Sequence, residues 1–307
     1  MKPSMLILGG DGLVGSTLYE FSLKTFSVHS TSRNSSNSSN PNFINLDLIK
    51  DRNEINKIIS NQNPDDIVHT VAHSSVDLCE TDHKIADLLH IDITKEISDI
   101  AKNLDSKLIF LSTDAVFNGN QTQKFTENDV PEPVNYYGKT KLDAEKIVLE
   151  SSKKNVVLRT AVIYGWHERS RFTNWILSYL KKEKIVDPFK DQFNTPTLVD
   201  DLVESIQRII QQKISGLFHA TGKSCVNRYD FALLLSKHFG LEKSLIKPVT
   251  KNEKKQDAPR PFRTCLDSSK LEKTINFDFH DIDSGIQVLY KKAQENPSLW
   301  EKILENN

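Results

Sequence analysis

The chain has 307 residues, with 40 lysines and arginines against 41 aspartates and glutamates and only three cysteines. Such a length allows one large α/β domain plus a smaller lobe around a substantial core, and the near-neutral charge gives no reason to expect nucleic acid or an anionic membrane as partner. Cys79, Cys225 and Cys265 are widely spaced and form no C-x-x-C pair, which argues against a disulfide framework or a structural zinc and for a reduced, cytoplasmic setting.

The first residues, MKPSMLILGG, lack the length and the small-residue cleavage site of a signal peptide, and no later run reaches membrane-spanning length. Apolar β-branched runs then alternate with amphipathic stretches, the pattern of a parallel sheet covered by helices on both faces. Strands are expected over 5–8, 27–31, 43–46, 66–72, 107–112 and 155–163, with helices over 13–24, 52–60, 84–103 and 136–152. The stretch 34–42 is rich in serine and asparagine and reads as a loop. The fold class expected is α/β, a Rossmann-type doubly wound parallel sheet with a smaller C-terminal α/β substrate lobe. The division is set at 1–164 and 165–307, the second part returning in places to the first. In that second part Asn227 caps a helix over 228–239 that Gly240 stops, and Asp281 caps another running to about residue 293.

Only eleven glycines occur in the chain, yet Gly9, Gly10, Gly12 and Gly15 stand together after the first strand and before the first helix. Such glycines permit a tight turn, close approach of the backbone to a pyrophosphate and close helix–strand packing. An ordinary glycine-rich turn is the plainer alternative. A dinucleotide site normally has an acid at the end of the second strand for the adenosine ribose, whereas a cation there accepts a 2′-phosphate. That strand ends Thr31-Ser32-Arg33 without a carboxylate, so NADP(H) is favoured and NAD(H) is kept as the alternative donor. Asp47 and Leu48 follow the third strand and can reach the adenine, although Asp47 can equally cap a helix.

Tyr137 and Lys141 are four apart at the start of an expected helix and so share one face. An ammonium beside a phenol favours the phenolate and suits proton transfer to a carbonyl. The preceding strand delivers Ser112-Thr113-Asp114 at the sheet edge where ligands of open α/β folds bind, so Thr113 can hydrogen-bond the same carbonyl; Asp114 can instead be a turn residue. His69, His73, Cys79, His83 and His90 invite a metal site. However, His69 and His73 lie about 13 Å apart by strand rise, too far to share one ion, and no metal is expected.

Taken together, GGDGLVG at 9–15, LSTDAVFNG at 111–119, ENDVPEPVNYYGKTKLDAEK at 127–146, RTAVIYG at 159–165, DQFNTPT at 191–197 and RPFRTCLDSSKL at 260–271 resemble the extended short-chain dehydrogenase/reductase family. More narrowly, they resemble its dTDP-4-dehydrorhamnose reductase branch, over nearly the whole chain. The resemblance implies Thr113, Tyr137 and Lys141 as the catalytic group, Gly12, Leu13, Val14, Asp47, Leu48, Ala72 and His73 along the cofactor with Lys141 also at the nicotinamide ribose, and Asp114, Val162 and Arg260 on the substrate side. The chain departs from the family at Val162, where a tryptophan is usual, at His90 for an asparagine, at Asn194 for a glycine, and in the strand reading His69-Thr70-Val71-Ala72-His73.

The expected function is NADPH-dependent reduction of the 4-keto group of a nucleotide-diphospho-6-deoxyhexose, with a homodimer left open. The alternative is a non-catalytic NADP-binding regulatory subunit. The branch includes the regulatory subunit of methionine adenosyltransferase, to which RPFRTCLDSSKLEK is similar at least as closely.

Overall fold

In the computed structural model, residues 2–33 and 40–305 are described; positions 34–39 of the expected loop over 34–42 lie outside them. The central element is a parallel sheet of β1 (Ser4–Leu8), β2 (Ser27–Ser32), β3 (Phe43–Asn45), β4 (Asp66–His69), β5 (Lys107–Thr113), β6 (Val156–Thr160) and β10 (Gly216–His219). Their order is β10-β6-β5-β4-β1-β2-β3. Short strands β7 (Ile163–Tyr164), β8 (Phe193–Asn194), β9 (Thr197–Leu198) and β11 (Val226–Asn227) pair as β7 with β9 and β8 with β11.

Helices α1 (Leu13–Ser22), α2 (Ile55–Gln62), α3 (Val76–Thr81), α4 (His83–Asp87), α5 (Ile93–Asn103) and α6 (Tyr136–Ser151) belong to the first half. The second half carries α7 (Arg171–Lys181), α8 (Val199–Gln211), α9 (Arg228–Phe239), α10 (Ser269–Ile275), α11 (Ile282–Glu295) and α12 (Leu299–Glu305).

Successive residues of a strand point to opposite faces, and β1 packs accordingly. Met5 and Ile7 lie with Leu18, Leu202 and Ile206 on one face, while Leu6 and Leu8 lie with Ile55, Ile97 and Val148 on the other. Helices therefore cover both faces, and the fold is a Rossmann-type doubly wound α/β sheet. The chain returns to this sheet after residue 165, since α8 packs beside α1 and β10 pairs with β6. A separate core of Leu177, Phe231, Leu235 and Ile286 forms the smaller lobe. Among the described residues no helix is long and apolar enough to cross a membrane.

Four expectations are corrected. β4 stops at His69 instead of 72, because the Thr70 hydroxyl turns back onto the Leu8 carbonyl at 2.8 Å. The strand over 155–163 breaks after Thr160, where Val162 adopts φ +41°. The helix over 84–103 contains a wide π turn, Leu88–Asp92, between α4 and α5. The cysteine expectation fails too: Cys225 and Cys265 form a disulfide with Cα atoms 5.5 Å apart. Forty residues separate them in sequence, but β8 lies between β11 and the segment around Arg263, so the two chain segments run close together. Cysteine number and spacing therefore give no argument for a reducing compartment.

Candidate active site

The glycine loop sits at the C-terminal end of β1, beside the point where strand order reverses between β4 and β2. A Cβ on Gly15 would lie 2.1 Å from the Gly9 carbonyl oxygen, so only glycine lets α1 approach the loop this closely. Gly12 is the N-cap of α1; no side chain caps the helix, and its first turn carries no acid. A bare helix N-terminus behind a glycine cradle fits a pyrophosphate.

Every expected cofactor residue lies along this edge: Gly9, Gly12, Leu13, Val14 and Gly15 after β1, Ser32 and Arg33 at the end of β2, Asp47 and Leu48 after β3, Ala72 and His73 after β4. Val14 and Leu48 are buried in the core. Asp47 spends its carboxylate on the backbone N–H groups of Ile49 and Lys50, at 2.9 and 3.3 Å, and so works as a turn cap. Arg33 is exposed. An acid does reach the end of β2, from the glycine loop: the Asp11 carboxylate accepts the Ser32 hydroxyl at 2.6 Å and the Arg33 backbone N–H at 3.1 Å. Sequence reasoning missed it by looking for an acid only downstream of the strand.

Thr113 ends β5, and Tyr137 begins α6 one residue after its start. The Asn135 side chain caps α6 by accepting the Gly138 N–H at 2.8 Å. A Cβ at Gly138 would stand 2.2 Å from the Ala115 carbonyl; glycine there lets the helix close onto the end of β5 and sets Tyr137 beside Thr113. Burial raises the Tyr137 pKa above the ordinary phenol value, partly offset by a hydrogen bond from Thr113. Lys141 is fully buried, its ammonium 2.6 Å from the Leu111 carbonyl and 3.9 Å above the Phe110 ring. Desolvation pulls its pKa down to about 7. The expected pairing of ammonium with phenol is corrected here: wedged between α6 and β5, the ammonium bonds a strand carbonyl instead.

His90, in the π turn, joins α6 to the loop after β4. Its Nε2 accepts the His73 N–H at 3.0 Å, which leaves Nδ1 to donate to Thr140 Oγ1 at 2.8 Å. Burial holds it neutral, with its pKa lowered to about 2. His69 Nε2 lies 3.3 Å from Thr94 Oγ1, and burial lowers its pKa to about 3. Among the described residues no group of three histidines, cysteines or acids is arranged to hold a metal ion.

Thr113, Asp114, Tyr137, Val162 and Arg260 all line one cavity of about 570 Å³. Asp114 starts a short turn and also faces this cavity; its carboxylate accepts the Thr264 hydroxyl at 2.5 Å, and burial raises its pKa. The left-handed φ of +41° at Val162, on the cavity wall, costs a β-branched residue about 1–3 kcal/mol. Arg260 is already engaged, 2.9 Å from both Asp77 Oδ2 and the Ala258 carbonyl. Sequence reasoning missed Arg228 and Arg171. Arg228 stacks on Phe172 at 4.9 Å, and among the described residues no protein group hydrogen-bonds its guanidinium; burial lowers its pKa to about 10. A lone arginine opening a helix carries no signal that separates it from surface charge.

The model of the RmlD substrate binding domain family matches residues 1–295. The chain is 32% identical over 283 residues to methionine adenosyltransferase 2 subunit beta of Xenopus laevis, covering 87% of this chain and 81% of that one. It is 28% identical over 269 residues to a dTDP-4-dehydrorhamnose reductase of Aggregatibacter actinomycetemcomitans, covering 84% and 85%. In structure it is similar to the dTDP-4-dehydrorhamnose reductase of Bacillus anthracis, solved with NADP, at TM-score 0.85 and 21% identity over 95% of this chain and 100% of that one. A Bordetella bronchiseptica enzyme of similar fold was crystallised with NAD+ (TM-score 0.78, 18% identity, 96% and 99% covered).

Proposed function

The chain belongs to the RmlD substrate binding domain family, and from that premise we propose that it reduces the 4-keto group of a nucleotide-diphospho-6-deoxyhexose with a nicotinamide dinucleotide. One observation carries the reading: the hydroxyls of Thr113 and Tyr137 meet on the wall of a cavity that three guanidiniums also line, those of Arg171, Arg228 and Arg260. Two hydroxyls suit a carbonyl oxygen, and cations suit a diphosphate.

In this reading Gly9, Gly12 and Gly15 with the first turn of α1 hold the pyrophosphate, and Ala72 and His73 border the nicotinamide half. A dinucleotide bound there would supply the hydride for the carbonyl carbon. Thr113 orients the carbonyl, and Tyr137, kept protonated by burial, donates its phenolic proton to the oxygen. Lys141 holds a positive charge behind the tyrosine. Arg228, stacked on Phe172 and facing the Asp114 carboxylate, anchors the diphosphate, while Arg260 supports it from its pairing with Asp77. Residues 1–164 then carry the cofactor and 165–307 mainly the sugar. Val162, smaller than the family's tryptophan, leaves room for a bulkier or differently configured sugar ring.

The test is a screen of nucleotide-4-keto-6-deoxy sugars by loss of dinucleotide absorbance. At least one sugar should be turned over, with Arg228→Ala raising its KM tenfold or more. Turnover of none would refute the reading. The 32% identity to the adenosyltransferase subunit favours a second reading, a regulatory subunit that binds the dinucleotide and a partner enzyme; stable recovery of such a partner without sugar turnover would support it.

A further inference from the structure

Cofactor choice in a Rossmann fold is made where the second strand ends, because the adenosine 2′ substituent comes to lie there. In this chain the place is taken by a carboxylate from another segment. Asp11, third residue of the glycine loop, accepts the buried Ser32 hydroxyl on both oxygens at 2.6 Å and the Arg33 N–H at 3.1 Å. The loop is tied to the same strand by two further bonds, Gly10 N–H to the Thr31 carbonyl at 2.7 Å and Gly9 N–H to Thr31 Oγ1 at 3.2 Å. Asp11 is therefore held at the end of β2, and it is half-buried. The Arg33 side chain, which the sequence offers as a phosphate ligand, lies exposed beyond it.

We infer that Asp11 is the residue that selects the dinucleotide, accepting a hydrogen bond from the adenosine ribose hydroxyl of NAD(H) and turning away the 2′-phosphate of NADP(H). The inference rests on the dinucleotide reading of the glycine loop. A ribose hydroxyl is a donor, and a carboxylate is an acceptor only. A 2′-phosphate has no proton to offer in return and sets negative charge against negative charge at contact distance. It also competes for the Ser32 hydroxyl and Arg33 N–H, the two donors that Asp11 already holds. Ser32 and Arg33 alone describe a phosphate site; with Asp11 between them they describe a diol site. The acid has moved from the end of the strand to the loop facing it, with the same chemical result.

Fluorescence titration of the purified protein with NADH and NADPH, in the absence of sugar, reads this directly. The unaltered protein should bind NADH at least tenfold more tightly than NADPH. Asp11→Asn, isosteric and uncharged, should bring the ratio close to one or invert it, and Asp11→Ser should do the same by clearing the space. Equal or tighter binding of NADPH by the unaltered protein, or an unchanged ratio in both variants, would overturn the assignment while leaving sugar reduction standing. Binding of neither dinucleotide would remove the cofactor site itself and the proposed reduction with it.

Discussion

Tyr137 keeps its proton because burial penalises the phenolate more than the Thr113 hydrogen bond favours it, and a retained proton is what a general acid needs. Tyr137→Phe should lower turnover of an accepted sugar by about a hundredfold to ten-thousandfold, with dinucleotide titration and melting temperature unchanged; more than a tenth of the activity left in the Phe variant would rule out this role. Lys141 is the complementary case. Its pKa is drawn down to about 7 by desolvation, so its charge is present below that pH and lost above it. Turnover should fall as pH rises through about 7, and Lys141→Arg, which stays charged, should flatten that limb in a pH–rate profile. An unchanged profile in the Arg variant would assign the limb to another group. Stability runs the other way: the unfolded lysine binds its proton up to its ordinary value of 10.5, so this residue opposes folding in full below about pH 7 and less as pH rises toward 10.5. The placement of Tyr137, Lys141 and Thr113 at the end of β5 and the start of α6 was legible from their spacing and their position after a strand. The positions of Asp11 against Ser32 and of Arg228 in the cavity were not, since each depends on a contact between distant segments.

Between elements, α6 is tied to the sheet by a buried ion pair. Arg159 of β6 meets Glu145 of α6 at 2.7 Å, and Ser112 of β5 donates to the same carboxylate at 2.5 Å. Breaking such a pair strands a buried charge and typically costs about 3–5 kcal/mol. Glu145→Ala should therefore lower the urea midpoint by a matching amount, whereas a loss below about 1 kcal/mol would mean that the arginine finds solvent. The Cys225–Cys265 disulfide joins the entry to α9, and so Arg228, to the segment carrying Thr264. Under non-reducing conditions the unfolded protein should show one titratable thiol, that of Cys79, and Cys225→Ser should lower the melting temperature; three thiols would contradict the bridge. Strand alternation and the caps at Asn227 and Asp281 were readable from the sequence, and both cap helices as expected. The π turn, the early end of β4 and the disulfide were not. Each arises from a contact between segments far apart in sequence, such as Thr70 on Leu8.

Across the whole molecule, the sheet presents its C-terminal edge and the smaller lobe closes over it. Bonds that span the join include Arg260 to Asp77 at 2.9 Å, Asn135 to the Pro259 carbonyl at 2.9 Å and Thr264 to Asp114 at 2.5 Å. They help bring the expected proton-transfer group and the arginines of the second half into the lining of one cavity. The Rossmann half was readable because strand and helix periods repeat there; the lobe was only outlined, its two-residue strands being too short to carry a period. The most direct test of the reductase account tracks the hydride. NADH or NADPH deuterated at nicotinamide C4 is incubated with the protein and a dTDP-4-keto-6-deoxy sugar, and the product is examined by mass spectrometry and NMR. The account predicts one deuterium at sugar C4, lost when Tyr137 is Phe. No deuterium in any nucleotide sugar, from protein that binds the dinucleotide, would contradict it.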